Sequence, residues 1–438
     1  MKEIGQKVVE QHKNYNMQSW SKQGAINPIP IAKAEGIYMY DYEGKRYADM
    51  SSQLVYANLG HSNKAINEAI KKRVDKFSVI APFYADEDRS ELSEKLIGLL
   101  PDNFGKVFYT NGGAEANENA IRIARMYTGR HKIFSRYRSY HGATHGAISA
   151  TGEPRSFGAE PKAGSFVKFF DPYVYRAPVP FATEEDATQY YLHMLEEQIK
   201  FEGSNQVAAI ILETITGSNG VFIPPAGYLQ GVRKLCDKYG ILLICDEVMV
   251  GFGRAGTMFG FENWGIVPDM ITFAKGSTCG YVPLGGVIMT KDIAKHFDDN
   301  LFLCGLTYSG HPLACAAAIA GIDYYIDNDI LAHTQKVGKV LGELLEDLKA
   351  KHEIVGDVRY IGLFAAVELV RDRTTKEPWV PFAGDATPMR KIAGQLMACG
   401  FATFTHENMI IVAPPLIITE EQLREEIAKL DEVLGSVD

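Results

Sequence analysis

Two apolar runs in this chain end on residues able to do chemistry together. Met270-Ile-Thr-Phe-Ala-Lys275-Gly276 ends on a lysine. Gly240-Ile-Leu-Leu-Ile-Cys-Asp246-Glu247-Val248, whose acid lies 29 residues earlier, ends on two carboxylates. A lone Ala-Lys-Gly is most often a solvated lysine after a strand. A lysine at one buried strand end with an acid at another is what pyridoxal phosphate (PLP) chemistry needs. The amine forms a Schiff base with the aldehyde. The acid keeps the ring nitrogen protonated, so that the ring accepts electrons. Lys275 and Asp246 are therefore the candidate catalytic pair.

A third feature supports the pair. Thr110-Asn-Gly-Gly-Ala-Glu-Ala-Asn-Glu118 links a strand to a helix. Two glycines at a helix N-terminus expose backbone N–H groups where the helix dipole is positive, which suits a phosphate. The expected donors are the amides of Gly113 and Ala114. Alone, Gly-Gly before a helix is often only a turn. In open α/β sheets, however, ligands bind beyond the carboxyl ends of the strands. Thr110–Ala114, Glu213, Asp246 and Lys275 all fall at such ends.

The elements that position these groups follow from periodicity. Gly36–Asp41 and Lys45–Met50 read as a hairpin. Residues 63–77 read as a helix, with Ile66, Ala69, Ile70 and Val74 on its apolar face. From about residue 104, short apolar strands alternate with helices, including a helix over Ala114–Tyr127. Strands apolar on both faces and separated by helices indicate an α/β fold with a mainly parallel sheet covered on both sides. Pro312–Ile322 reads as a buried helix and Thr334–Lys351 as an amphipathic one. Val355–Val370 alternates like antiparallel strands. A last helix spans Glu420–Leu434, capped by Thr419 with Gln422 three places on. The expected division is an N-terminal segment, 1–55, packing with a C-terminal small domain, 326–438, around a large domain, 56–325.

Bulk composition narrows the class. The 438 residues carry a net charge of −9 without a basic block, so neither nucleic acid nor an anionic membrane is an expected partner. The charged N-terminus has no apolar core like that of a signal peptide. No apolar stretch reaches the ~20 residues needed to span a bilayer. Six scattered cysteines read as reduced thiols of a cytoplasmic protein. Cys279 reads as inert packing rather than as a reactive thiol.

The motifs Thr110–Glu118, Tyr140-His-Gly142, Asp246–Arg254, Ala274-Lys-Gly276, Tyr281-Val-Pro-Leu-Gly-Gly286 and Thr307-Tyr-Ser-Gly-His-Pro312 occur in one order. In this the chain resembles the class III (ω-) aminotransferases, PLP enzymes of fold type I, over nearly its whole length. The resemblance implies a seven-stranded large domain with a smaller α+β domain. It implies a homodimer, or a dimer of dimers, with a shared active site that takes an amine donor and a keto-acid acceptor. It implies that Lys275 carries the cofactor and Asp246 pairs with the ring nitrogen. Val248 and Tyr140 cover the two ring faces, and Gly113 and Ala114 bind phosphate. Thr307 reaches a phosphate from the partner subunit, and Glu213 supports the pocket. Many relatives have Ser-Gly-Ser where this chain has Gly112-Gly113-Ala114, so two hydroxyl donors are missing.

Substrate anions are usually gripped by arginine, whose planar fork matches carboxylate or sulfonate oxygens. Three positions that serve this purpose in branches of the family are altered here. Ala143 follows Tyr140-His-Gly142, where the 4-aminobutyrate and ornithine branches carry an arginine or another branch-specific residue. Ser218 stands in Gly217-Ser-Asn-Gly220, where the 4-aminobutyrate branch has a glutamate gate. Phe401–Leu416 lacks the mobile arginine of many pyruvate users. Arg155, in Thr151-Gly-Glu-Pro-Arg-Ser, is the remaining candidate, unless it only pairs with Glu153 or Glu160. Trp20 is expected to wall the pocket, and Tyr56, with Val55, to line its entrance. Ala25–Ile31 and Gly152–Ser156 resemble taurine aminotransferases of the bacterial type. That implies taurine as donor, sulfoacetaldehyde as product, and 2-oxoglutarate or pyruvate as acceptor, with 2-oxoglutarate favoured because the mobile arginine position of the pyruvate users is vacant. The alternative is an ω-amino acid:pyruvate aminotransferase using taurine, hypotaurine or β-alanine. A PLP aminomutase shares the fold and the lysine. His141 and His145 have the spacing of a helical metal pair but no third ligand, so no metal is expected. His61 and His311 are expected in supporting positions, and Arg254 is expected to brace a loop by an ion pair.

Overall fold

The computed structural model of the protein describes residues 2–437. Strands β1 (Ile31–Glu35), β2 (Tyr38–Asp41) and β3 (Arg46–Asp49) form an antiparallel meander that contains the expected hairpin. Seven further strands build the central sheet: β4 (Phe104–Thr110), β5 (Lys132–Arg136), β6 (Phe166–Phe169), β7 (Val207–Leu212), β8 (Leu242–Asp246), β9 (Met270–Phe273) and β10 (Gly285–Thr290). Their spatial order is β4-β10-β9-β8-β7-β5-β6. Only β10 runs antiparallel to its neighbours.

Every residue of β7, β8 and β9 is buried. The period-2 alternation of a strand sends their apolar side chains into two cores. Ile211, Ile244 and Met270 join the core under the helix Gly113–Thr128, with Ala116, Ala120 and Ile123. Ile210, Leu212, Leu243 and Ile271 join the core on the other face. Each fully buried isoleucine or leucine contributes roughly 1.5–3 kcal/mol, so this two-sided packing holds the strand ends rigidly. By the same parity Asp246 faces the Gly113–Thr128 side and Glu247 the other.

The C-terminal part has its own antiparallel sheet. It contains β11 (Val355–Ile361), β12 (Phe364–Asp372) and β13 (Glu377–Pro378), with β15 (Thr405–His406) and β16 (Met409–Val412). Between them β14 (Phe401–Ala402) leaves to pair in parallel with β3, joining residues 48–49 to 401–402. The last helix, Glu420–Gly435, has the expected capping box between Thr419 and Gln422. The helix Pro312–Asp327 is buried along most of its length.

Three readings differ from the sequence expectation. Val74 is 50% exposed, while Arg73 on the helix Lys64–Lys76 is buried against Asp86. A buried ion pair has replaced part of the apolar face. β12 is buried on both faces through its first seven residues, because it lies between β11 and β16 and is covered on both sides. Among the described residues, Arg254 has no ion-pair partner. Its guanidinium donates to the carbonyls of Leu363 and Pro414, to Ser52 Oγ and to Asn58 Oδ1. Burial without a carboxylate pushes it down to about 10.

Candidate active site

At the carboxyl ends of β4, β8 and β9 lies a cavity of about 280 Å³. Its lining includes Lys275, Asp246, Val248, Tyr140, Gly113, Ala114 and Tyr56. The sequence had separated these residues by more than 200 positions, and the sheet brings them to one place.

Lys275 leaves β9 in a left-handed conformation, φ +42°. Such a backbone costs of order 1–3 kcal/mol for a non-glycine residue and is kept only where the surroundings over-determine it. The amine is withdrawn from water, and burial pushes its pKa below the usual lysine range. The charges of Asp246 and Glu213 oppose that shift, and Arg155 adds to it. A depressed lysine holds more of its neutral, nucleophilic form near neutral pH.

Asp246 is buried and held from three sides. Asn117 Nδ2 donates to its Oδ2 at 2.7 Å, His141 Nδ1 lies 2.7 Å from the same oxygen, and Val248 N donates to Oδ1 at 3.1 Å. Thr272, beside Asp246 on β9, donates to Asn117 Oδ1 at 2.7 Å and fixes the amide's orientation. With Asp246 ionised, His141 carries its proton on Nδ1. Sequence reasoning missed Asn117 and His141 as partners of this acid. The available signal was spacing. Asn117 is one helical turn after Gly113, so it shares the face of the helix N-terminus. His141 turns toward Asp246, a role that its helical spacing with His145 did not disclose.

The helix Gly113–Thr128 begins at Gly112 with no side-chain cap. Its first amides are thus left for a ligand. A Cβ on Gly112 would meet nothing within 4 Å, whereas one on Gly113 would fall 2.6 Å from Val248 Cγ1. Gly142, at φ +130°, lets its loop approach Ala114 where a Cβ would come within 2.5 Å. Glu213 is buried and accepts from Tyr140 N at 3.1 Å and Gly217 N at 2.7 Å. Its pKa is raised, chiefly by burial.

Arg155 does not itself line the cavity; it stacks on Tyr140, which does, with its guanidinium 3.9 Å from that ring's centroid. Nε donates to the buried carboxylate of Glu153, and Nη2 donates to Ser218 Oγ at 2.7 Å. Glu160 pairs with Lys162 instead. Trp20 is 61% exposed and meets Tyr140 edge-on at 6.3 Å, outside the cavity lining. Where no arginine was found in the C-terminal stretch, the structure brings His406 and Glu407. Glu407 lies 3.6 Å from Arg138. His406 is pushed down to about 4, first by burial and then by Arg155 and Arg138. Thr307 is exposed and does not line the cavity of a single chain. Val55 belongs to a neighbouring core cluster, His61 pairs with Asp49, and Cys279 is buried with its thiol raised to about 11.

The family model for aminotransferase class III matches residues 20–434. The chain is a class III aminotransferase. The solved taurine:2-oxoglutarate aminotransferase of Bifidobacterium kashiwanohense, in complex with PLP and glutamate, is 51% identical to it. The two superpose with a TM-score of 0.97 over 99% of this chain and 98% of that one. A solved (S)-enantioselective omega-transaminase of Thermomicrobium roseum is 35% identical, with a TM-score of 0.93 over 99% and 98% of the two chains. The taurine–pyruvate aminotransferase of Bilophila wadsworthia is 35% identical over 98% of this chain and 94% of that protein. The aminotransferase is thus a fold type I enzyme that uses PLP and works on an amine donor and a keto-acid acceptor. Among the described residues, no helix is long and apolar enough to cross a membrane. The residues present fit PLP: an amine, a buried acid and uncapped helix amides line one cavity between Tyr140 and Val248.

Proposed function

We propose that this aminotransferase moves the amino group of taurine, or a similar ω-amino acid, to 2-oxoglutarate, giving sulfoacetaldehyde and glutamate by a ping-pong route. The observation that carries the reading is Arg155, stacked on Tyr140 and held by Glu153 and Ser218 beside the cavity. A planar cation there suits a sulfonate or a carboxylate. The identity to a taurine:2-oxoglutarate enzyme supports the same substrates. The second reading, with pyruvate as acceptor, is favoured by the likeness to a taurine–pyruvate enzyme.

Lys275 would hold the cofactor, Gly113 and Ala114 its phosphate, and Asp246 the protonated ring nitrogen. Val248 and Tyr140 would flank the ring, and Thr307 would reach it from a second subunit of a dimer. PLP, when bound, supplies an electron sink for the substrate carbon. Lys275 takes a proton from that carbon and returns it to the acceptor position, as base and then acid. Asn117, His141 and the Val248 amide all serve the Asp246 carboxylate and fix its orientation. Glu213 ties the Tyr140 backbone to the Gly217 turn and keeps that wall in place. Arg155 orients the anionic end, with Tyr56 bounding the entrance and Trp20 set edge-on against Tyr140 outside the cavity. We retain the division 1–55, 56–325 and 326–438, supported by the β3–β14 pairing, and a cytoplasmic setting, supported by six free cysteines.

A donor–acceptor panel, read by the product amino acid, tests the proposal. Taurine with 2-oxoglutarate is expected to yield glutamate. Alanine from pyruvate alone would select the second reading. No transfer from taurine to either acceptor would overturn both, and an amino group retained within one substrate would indicate an aminomutase.

A further inference from the structure

The clamp around Arg155 has a consequence for how two different substrates share one site. The Nε–H of Arg155 is taken by Glu153, one Nη2–H by Ser218, and its face by Tyr140. Trp20 lies 5.9 Å from the guanidinium. Nη1 has no hydrogen-bond partner among the described residues. The clamp itself is rigid. Gly217, next to Ser218, donates to Glu213, whose other oxygen accepts from Tyr140 N. One buried carboxylate therefore mounts both the ring beneath Arg155 and the turn beside it. The turn is further held by the Gly220 N to Gly217 O bond and by Arg136, which donates to Thr216 Oγ1 at 3.1 Å. Ser218 is 8% exposed, and a Cβ on Gly217 would fall 2.1 Å from Met249 Sδ, so the turn has no room to withdraw.

We propose that Ser218 is a specificity-determining position: with Glu153 it locks Arg155 in one orientation, so that the same Nη1 edge receives the sulfonate of the donor and a carboxylate of the acceptor in turn. The inference rests on the reading of Arg155 as the anion grip. A hydroxyl suits this task because it orients the guanidinium without neutralising it. A carboxylate at position 218 would sit within hydrogen-bond reach of Nη2. Together with Glu153 it would place two negative charges on one arginine, and an incoming anion would meet repulsion. A locked arginine also makes the two substrates rivals for one cation, so a change at position 218 moves both together.

The test uses PLP-loaded enzyme and two unreactive anions, ethanesulfonate, which lacks the amine, and glutarate, which lacks the keto group. Calorimetry gives their Kd values for wild type, Ser218→Ala, Ser218→Glu and Arg155→Ala, and the cofactor's visible absorbance is recorded for each. Ser218→Glu is expected to weaken both anions by at least about tenfold with the absorbance unchanged. Ser218→Ala, which keeps the charge and loses the orientation, is expected to weaken both by about threefold. Weakening of only one anion, weakening of neither, or a parallel loss of cofactor absorbance in Ser218→Glu would overturn the inference. If Arg155→Ala binds both anions as wild type does, the failure lies instead with the arginine grip.

Discussion

Asp246, Glu213 and Lys275 stand at the ends of three adjacent strands, each packed on both faces. Arg155, Ser218 and His406 stand on a short turn, a glycine-bounded turn and a hairpin tip. Tyr140 links the two groups, since it lines the cavity and stacks on Arg155, and the difference lies in what holds them. A strand end is fixed by its ladder and by two cores, so it suits a cofactor whose chemistry never changes. A loop residue is fixed only by side-chain partners, so exchanging one partner alters what the site accepts. The Arg155 clamp shows this directly, since its two partners lie in separate segments.

Substitutions separate the two regions. Lys275→Ala is expected to have the largest effect, a loss of turnover of roughly 10⁴-fold together with the visible absorbance of lysine-linked cofactor. Turnover close to wild type would break the strand-end account. Asp246→Asn keeps the shape and removes the charge. It is expected to lower kcat about a hundredfold or more while the KM for taurine changes little. Arg155→Ala reverses that pattern, raising KM for the anionic substrates by about tenfold to a hundredfold and leaving cofactor absorbance intact. If Arg155→Ala and Asp246→Asn lower the same kinetic constant, the division into cofactor and anion sides fails.

The smallest effect is on stability. His406 is held neutral in the fold down to about pH 4, by burial and then by Arg155 and Arg138. An unfolded chain takes up that proton near pH 6.5, so between about 6.5 and 4 the unfolded state binds more protons. Stability therefore falls as pH falls through that window, by on the order of 3 kcal/mol from this residue. Denaturant unfolding of His406→Phe is expected to show a shallower loss over the same range. An unchanged slope would mean that the fold does not hold His406 neutral over that range.

The same contrast explains what the sequence disclosed. An apolar run that stops on a lysine or an acid marks a strand end, so Lys275, Asp246 and Glu213 were legible from single segments. Gly113 and Ala114 were legible from a glycine pair before a periodic helix. Asn117 and His141 were not, because their role is set by an acid on another strand. Asn117 lies 129 residues and His141 105 residues from Asp246. The Arg155–Ser218 bond spans 63 residues, and only folding reveals that the position lacking a glutamate faces the arginine. Arg254 looked like an ion-pair brace because arginine rarely lies buried with only neutral acceptors around it. The helical face of residues 64–76 was misread for the related reason that Arg73 and Asp86 bury each other's charge.

The central claim is that the position-275 amine carries the cofactor inside the cavity that Asp246 lines. Borohydride reduction of the PLP-loaded enzyme, followed by peptide mapping by mass spectrometry, tests it most directly. The account predicts one phosphopyridoxyl label per chain, on Lys275. A label on another lysine, with Lys275 recovered unmodified, would contradict it.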